Sequence, residues 1–129
     1  MTSVDVVDET FLAVPPARVA PIFADPGVWP RLWPDLTLEV IADRGVQGMR
    51  WTVGGALTGS MEVWLEPMLD GTCLHYFLRA DPLGPDGAPA PQAGRWAARE
   101  RRRRQHRAKR IAFTLKSHLE EGRAPGEAP

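Results

Sequence analysis

The chain has 129 residues, of which 43% are hydrophobic, and a formal net charge of zero, which fits one domain with its own core. Its single cysteine, Cys73, excludes an intramolecular disulfide, and no apolar run reaches the roughly 18 residues of a membrane-spanning helix. The sequence does not begin with a signal-peptide pattern, so we expect a cytoplasmic protein with no membrane span.

The first predicted elements are a strand and two short helical segments. Residues 4–14 mix β-branched and apolar residues with acids, which is typical of a strand. Pro15 and Pro16 end it, and because proline is tolerated in the first turn of a helix, we expect a short helix over residues 16–25. Residues 28–35 hold two Trp and two Pro and predict one helical turn or an irregular cap.

The middle of the chain alternates apolar and polar residues with a period of two. Such alternation predicts half-buried strands. The last two strands are joined by a turn that ends in Asp70-Gly71, a hairpin signal. Together with the first strand, the sequence therefore predicts five strands. Four of them form an antiparallel meander over residues 36–43, 48–53, 60–66 and 72–80.

The last third of the chain predicts a loop followed by a long helix. Residues 81–94 are rich in Pro, Gly and Ala, as loops are. Residues 95–121 contain neither Pro nor Gly, which predicts a helix roughly 40 Å long. Residues 124–129 predict a disordered tail. The chain is thus expected to form one domain over residues 1–123.

Three stretches carry a resemblance to a known family. They are "VPPARVAPIFADPGVWPRLWPDL", the pair "GMRWTV" and "MEVWLEP", and the start of the last helix after "LRADP". In this order they resemble the helix-grip fold of the START-like (SRPBCC) superfamily, specifically its bacterial polyketide cyclase/dehydrase and lipid-transport group. The likeness covers nearly the whole chain. It implies an α+β fold with a curved antiparallel sheet wrapped around the C-terminal helix, and a hydrophobic ligand, but no particular reaction.

The hairpin register separates an apolar face of the sheet from a charged one. A two-residue turn and a four-residue loop at Asp70-Gly71 give the same division. The apolar face, which we expect to meet the helix, consists of Met61, Val63, Leu65, Leu74, Tyr76 and Leu78. The opposite face consists of Glu62, Trp64, Glu66, His75, Phe77 and Arg79.

The charged face has two interpretations. Burying its charges would cost several kcal/mol unless each were paired, which favours an outward orientation. An exposed strip of Trp64 and Phe77 would then favour contact between two copies of the chain, a homodimer. In the alternative, Glu62, His75 and Arg79 form an internal site for general acid–base work on a polyketide. Because the first interpretation is favoured, we do not expect these three residues to be a catalytic set.

Aromatic residues are the candidates for a pocket wall. A three-residue loop at Gly54-Gly55 keeps Trp51 on the apolar face with Met61, whereas a two-residue loop would move it to the other face. The periodicity favours the first. Tyr76 on the same face, and Trp29 and Trp33 from the segment before the meander, complete the predicted pocket. The alternative for each residue is ordinary core.

The long helix carries most of the positive charge. Residues 95–110 contain nine Arg or Lys and one acid, whereas residues 1–94 contain five Arg and twelve acids. A nucleic-acid partner is not favoured, because the run lacks interleaved aromatics and the remaining chain is acidic. On a helical wheel the apolar stripe around Leu115 passes back through Arg101 and Arg104. These two could reach solvent, bind internal acids, or hold an anionic head group at a pocket mouth.

The sequence contains no motif for metal or cofactor binding. The histidines lack metal-ligand spacing, and there is no P-loop and no GxGxxG. We therefore predict neither a metal nor a cofactor. The leading hypothesis is binding of a small hydrophobic or amphipathic molecule between sheet and helix. The alternatives are a polyketide cyclase, aromatase or dehydratase, and a ligand-free interaction module whose interior is filled by its own tryptophans.

Overall fold

The computed structural model describes residues 2–121. It confirms the predicted α+β architecture, because five antiparallel strands form one curved sheet and a long helix packs against it. The predicted tail, residues 124–129, lies outside the described residues. A short 3-10 turn that the sequence did not predict spans Gly45–Gln47. The elements are β1 (Val4–Leu12), α1 (Pro16–Ala24), α2 (Trp29–Leu32), β2 (Leu36–Asp43), β3 (Gly48–Gly55), β4 (Thr58–Met68), β5 (Gly71–Asp81) and α3 (Arg95–Leu119).

The strand order places the first strand beside the last. The order is β1-β5-β4-β3-β2, so β1 and β2 form the two edges of the sheet. The β1–β5 pairing runs without interruption from Val4 opposite Ala80 to Leu12 opposite Thr72. Residues far apart in sequence therefore become direct neighbours across these two strands.

The β4–β5 hairpin turns at the two residues Leu69 and Asp70, and its register is the one that a four-residue loop at Asp70-Gly71 would also give. Met68 pairs with Gly71, and Leu69 occupies the turn with a φ of 53°. The absence of a side chain at Gly71 lets the start of β5 approach the end of β1, because a Cβ there would lie 2.2 Å from the carbonyl oxygen of Leu12. The division of faces is as predicted: the six apolar residues are buried on the concave side.

The β3–β4 connection keeps Trp51 on the concave face. Val53 pairs with Gly59 and Trp51 with Met61. The connecting loop is therefore longer than the predicted three residues, but it leaves the same residues on each face of the sheet. The side chains of Trp51 and Met61 are buried as a consequence. The predicted apolar face thus extends from β5 across β4 to β3.

Helix α3 lies across the concave face with its closest contacts to β1. Its buried side chains follow one stripe, as the wheel predicted. Lys109 Nζ reaches Asp8 Oδ1 at 2.9 Å and Thr10 Oγ1 at 3.0 Å on β1. Among residues 2–121 no helix combines the length and apolar character that crossing a membrane requires. The buried residues of α3 are Ala97, Arg104, Ala108, Ala112, Leu115 and Leu119.

Candidate ligand-binding site

An aromatic cluster fills the space between the sheet and the helices. Trp33 stacks on Tyr76 with ring centroids 6.2 Å apart, and its ring lies 5.8 Å from that of Trp51. Trp29 meets Trp51 edge-on at 5.6 Å, and its indole N–H donates to the carbonyl of Phe23 at 2.9 Å. The segment from α1 to β2 thus places its two tryptophans over the sheet, against Trp51 and Tyr76, and Met61 pairs with Trp51 across β3 and β4.

The enclosed space that remains is very small. Its volume is about 10 Å³, which is about the room that one water molecule needs. The interior is therefore packed in this conformation, and a larger molecule can enter only if part of the wall moves. The space is lined by Asp8, Phe23, Trp33, Val63, Leu74, Tyr76, Ala108, Ile111 and Ala112.

Three buried nitrogen atoms near this interior have no hydrogen-bond partner among the described residues. They are the indole nitrogens of Trp33 and Trp51 and the Nε of Arg104, although the Trp33 side chain also lies close enough to interact with the Tyr76 hydroxyl. Leaving a buried donor unpaired costs about 1–3 kcal/mol. Burial also raises the pKa of the Tyr76 hydroxyl well above its usual range, so that group keeps its proton at neutral pH. The interior thus holds indole and guanidinium donors, and the acceptors that line it are the carboxylate of Asp8, which is paired with Lys109, and the hydroxyl of Tyr76.

The two arginines predicted at a pocket mouth have different surroundings. Arg104 is 2% exposed and binds Asp35 through two hydrogen bonds of 2.9 and 2.6 Å. Arg103 also reaches Asp35 at 2.9 Å, and Glu100 lies 3.7 Å from Arg104. Arg101 is exposed. Two arginines and two carboxylates therefore balance one another at this end of α3, and Arg104 binds a partly exposed acid of the same chain.

Asp35 should make the free energy of unfolding depend on pH in the acid range. Hydrogen bonding to Arg104 holds the pKa of its carboxyl at about 2, below the usual value of an aspartate. Because the folded pKa is the lower one, this stabilisation is fully present above about pH 4 and is lost as the pH falls toward 2. We expect the free energy of unfolding in urea, measured between these pH values, to fall less steeply with decreasing pH in Asp35→Asn than in the wild type. Asp70 lies in an exposed turn, so Asp70→Asn should keep the wild-type dependence of the unfolding free energy on pH. The same dependence in both variants would contradict this account.

Glu62, His75 and Arg79 lie on the outer face of the sheet and bind three different partners. Glu62 accepts from Arg44 at 3.2 Å, and Arg79 lies 3.9 Å from Asp5. Glu62 and Arg79 line one open depression of about 250 Å³, which His75 does not line. This geometry gives the cyclase hypothesis no support.

His75 is buried although it lies on the outer face. Its ring stacks on Trp64 at 4.3 Å and on Phe77 at 6.3 Å. Its Nε2 lies 3.0 Å from Glu66 and its Nδ1 3.3 Å from Glu9. The imidazole is therefore held by two neighbouring aromatic rings and by two carboxylates.

Sequence reasoning missed Asp35 and two neighbours of His75. Glu9 and Cys73 bring their ligand atoms within 4.8 Å of each other and of the imidazole. Burial, followed by the charges of Glu9 and Glu66, raises the pKa of the Cys73 thiol. The Cys-x-His spacing on one strand was a visible signal, because alternate residues share a face. The position of Glu9 depends on the β1–β5 pairing, which no local pattern contains.

Comparison with solved structures defines the fold. The chain is similar to the solution structure of the Aha1 dimer from Colwellia psychrerythraea, with a TM-score of 0.62 and 11% identity over 94% of this chain and 99% of that one. It is also similar to a protein of Deinococcus radiodurans, with a TM-score of 0.58 and 16% identity over 87% and 96%. The chain has the helix-grip fold. At these identities the helix-grip likeness concerns the fold alone.

The comparisons by sequence give no further relationship. No protein-family model matches the chain, and no curated protein sequence matches it.

Proposed function

We propose that this protein binds a small apolar molecule with a neutral hydrogen-bond acceptor, held between the concave face of the sheet and α3. The observation that carries the proposal is the pair of unpaired buried donors at Trp51 and Arg104, whose neighbours Trp33 and Tyr76 line the enclosed space. Folded proteins pair nearly all such groups, and an exception calls for an explanation such as a missing ligand or water. A carbonyl or hydroxyl oxygen on an apolar molecule would supply the acceptor.

Entry requires a movable wall, and α2 is the part of the wall best suited to move. None of the four residues of α2 is fully buried. Trp33 follows α2 directly and is tied to it by a hydrogen bond of 2.8 Å from its backbone N–H to the carbonyl of Trp29. An outward movement of α2 would therefore withdraw the Trp33 ring and enlarge the space beside Ala108 and Ala112.

The charge balance at Arg104 favours a neutral head group over an anionic one. Asp35 and Glu100 already compensate Arg103 and Arg104. A carboxylate on the ligand would have to displace Asp35 or remain beside it, and like charges repel at such distances. Arg101 is exposed beside residues 91–94 and could contact an anion only outside the interior.

Native mass spectrometry of the purified protein is the first test, because a bound apolar molecule would add a defined mass. A fatty alcohol and the fatty acid of equal chain length should then be titrated while tryptophan fluorescence is recorded. We expect the alcohol to bind at least as tightly as the acid. Tighter binding of the acid that is lost in Arg104→Gln would contradict the neutral-acceptor proposal.

A pair of helix variants would locate the bound molecule. Ala112→Leu adds bulk to the lining of the interior, whereas Thr114→Leu adds similar bulk to the exposed face of α3. We expect the first to weaken binding of the alcohol by about tenfold or more, equal to about 1.4 kcal/mol, and the second to leave it unchanged. Equal affinities in the two variants would place the ligand elsewhere.

A second candidate function is an interaction module without a ligand. The packed interior of about 10 Å³ favours it, as does the exposed apolar surface at Trp64 and Val7 on the outer face. The fold neighbour from Colwellia psychrerythraea was solved as a dimer. Under this alternative we expect no bound mass, no binding of the alcohol, and a dimer in sedimentation that Trp64→Glu dissociates.

A further inference from the structure

Three potential metal ligands of different chemistry meet on the outer face of the sheet. Cys73 and His75 alternate on β5 and so share that face, and Glu9 on β1 stands directly opposite His75. One ligand atom from each lies within 4.8 Å of the others. Thiolate sulfur, imidazole nitrogen and carboxylate oxygen are the donors that Zn²⁺ takes in proteins, and a single ion can bridge atoms at such separations.

The imidazole of His75 is already oriented for coordination. Its Nε2 lies 3.0 Å from the carboxylate of Glu66, which can accept the Nε2 proton. The lone pair of Nδ1 is then free on the side where Glu9 lies, 3.3 Å away. Metal-binding histidines commonly donate their second N–H to a carboxylate in this way. Stacking on Trp64 limits rotation of the ring, so little order has to be gained on binding.

The cluster also has an excess of negative charge. Over residues 2–121, neither Glu9 nor Glu66 forms an ion pair with a lysine or arginine; Lys109 reaches only the backbone carbonyl of Glu9, at 3.2 Å, and pairs with Asp8. A divalent cation would offset two of the three negative charges that the two carboxylates and the bound thiolate carry together.

We propose that Cys73, His75 and Glu9 bind one Zn²⁺ or a similar borderline-soft divalent cation, with Glu66 positioning the imidazole. The sulfur and nitrogen donors favour such ions over Mg²⁺ and Ca²⁺. On binding, the thiol of Cys73 loses its proton to solvent as the metal–sulfur bond forms. Glu9 is exposed, so solvent can fill the fourth coordination position. This site lies on the opposite face from the proposed ligand interior, so either proposal can fail without the other.

Titration of the reduced, metal-free protein with Co²⁺ tests the site directly. We expect one ion per chain and a thiolate-to-cobalt charge-transfer absorption that Zn²⁺ abolishes by displacement. Cys73→Ser should lose that absorption. Glu66→Gln should weaken Zn²⁺ binding about 10- to 100-fold, the usual cost of losing a carboxylate that orients a ligand. Matched controls are Glu62→Gln on the same strand and face and His118→Ala on α3, and both should keep the wild-type affinity.

Several outcomes would overturn the proposal. These are the absence of charge-transfer absorption in the wild type, its persistence in Cys73→Ser, and equal affinities of Glu66→Gln and Glu62→Gln. If Mg²⁺ competed as well as Zn²⁺, the carboxylates alone would account for binding and the sulfur and nitrogen ligands would have no role. If Cys73→Ser does not fold, Glu9→Gln replaces it, because that side chain is exposed and its loss should still weaken Zn²⁺ binding at least tenfold. An unchanged affinity in Glu9→Gln would count against the site equally.

Discussion

Replacing Trp33 by alanine is expected to destabilise the protein by about 3–5 kcal/mol, the usual cost of truncating a buried aromatic side chain. The ring is 2% exposed and touches Phe23, Trp51 and Tyr76. Its removal leaves a cavity that the surrounding rings cannot close. Urea unfolding measured by circular dichroism would give the difference in free energy. A loss below about 1 kcal/mol would show that the interior is not packed around this residue.

Two companion variants separate the contributions of ring volume and indole N–H. Trp33→Phe keeps most of the volume and removes the indole N–H, so we expect a loss below about 1.5 kcal/mol. Trp64→Ala removes an indole that is 38% exposed on the outer face and should cost less than Trp33→Ala. Benzene or indole should restore stability to Trp33→Ala alone, since an apolar cavity binds apolar molecules and binding to the folded state stabilises it. Such rescue would also demonstrate that molecules can reach the interior.

Replacing Leu115 by alanine is expected to destabilise the protein by about 2–5 kcal/mol, as buried leucine-to-alanine changes usually do. Leu115 is 7% exposed and lies near the C-terminal end of the buried stripe of α3. Denaturant titration would measure the loss. Phe113→Ala is the matched control, because Phe113 is a larger apolar residue on the same helix and is 56% exposed. If both changes cost the same, the orientation of α3 on the sheet would be wrong.

The two faces of the sheet were predictable because strand alternation is a local property. Adjacent side chains of a strand point to opposite sides, so the sequence alone assigned Met61 and Tyr76 to one face and Glu62 and His75 to the other. The exact turn residues were not needed, since the loops considered at Asp70-Gly71 gave the same parity. At Gly54-Gly55 the two loop lengths would place Trp51 on opposite faces, and the periodicity favoured the apolar face. The pairing of Trp51 with Met61 agrees with that prediction.

The helical wheel predicted the buried stripe of α3 but could not distinguish Arg101 from Arg104. Both lie on the same side of an ideal helix, and a wheel contains no information about the partner surface. In the structure Arg104 is buried because Asp35 stands opposite it, whereas Arg101 passes beyond the sheet beside residues 91–94. The difference comes from a residue 69 positions away in the sequence.

The sequence by itself determined the order of elements, the inward face of each strand and the stripe of α3, because each follows from periodicity within a few residues. Only the tertiary structure decided that the interior is packed, since the fit of Trp33 between Tyr76 and Trp51 depends on how a short helical segment folds over the sheet. It alone placed Glu9 beside His75, because β1 pairs with the last strand of the sheet. Long-range strand pairing joins residues that no local pattern connects, and the proposed metal site depends on that pairing.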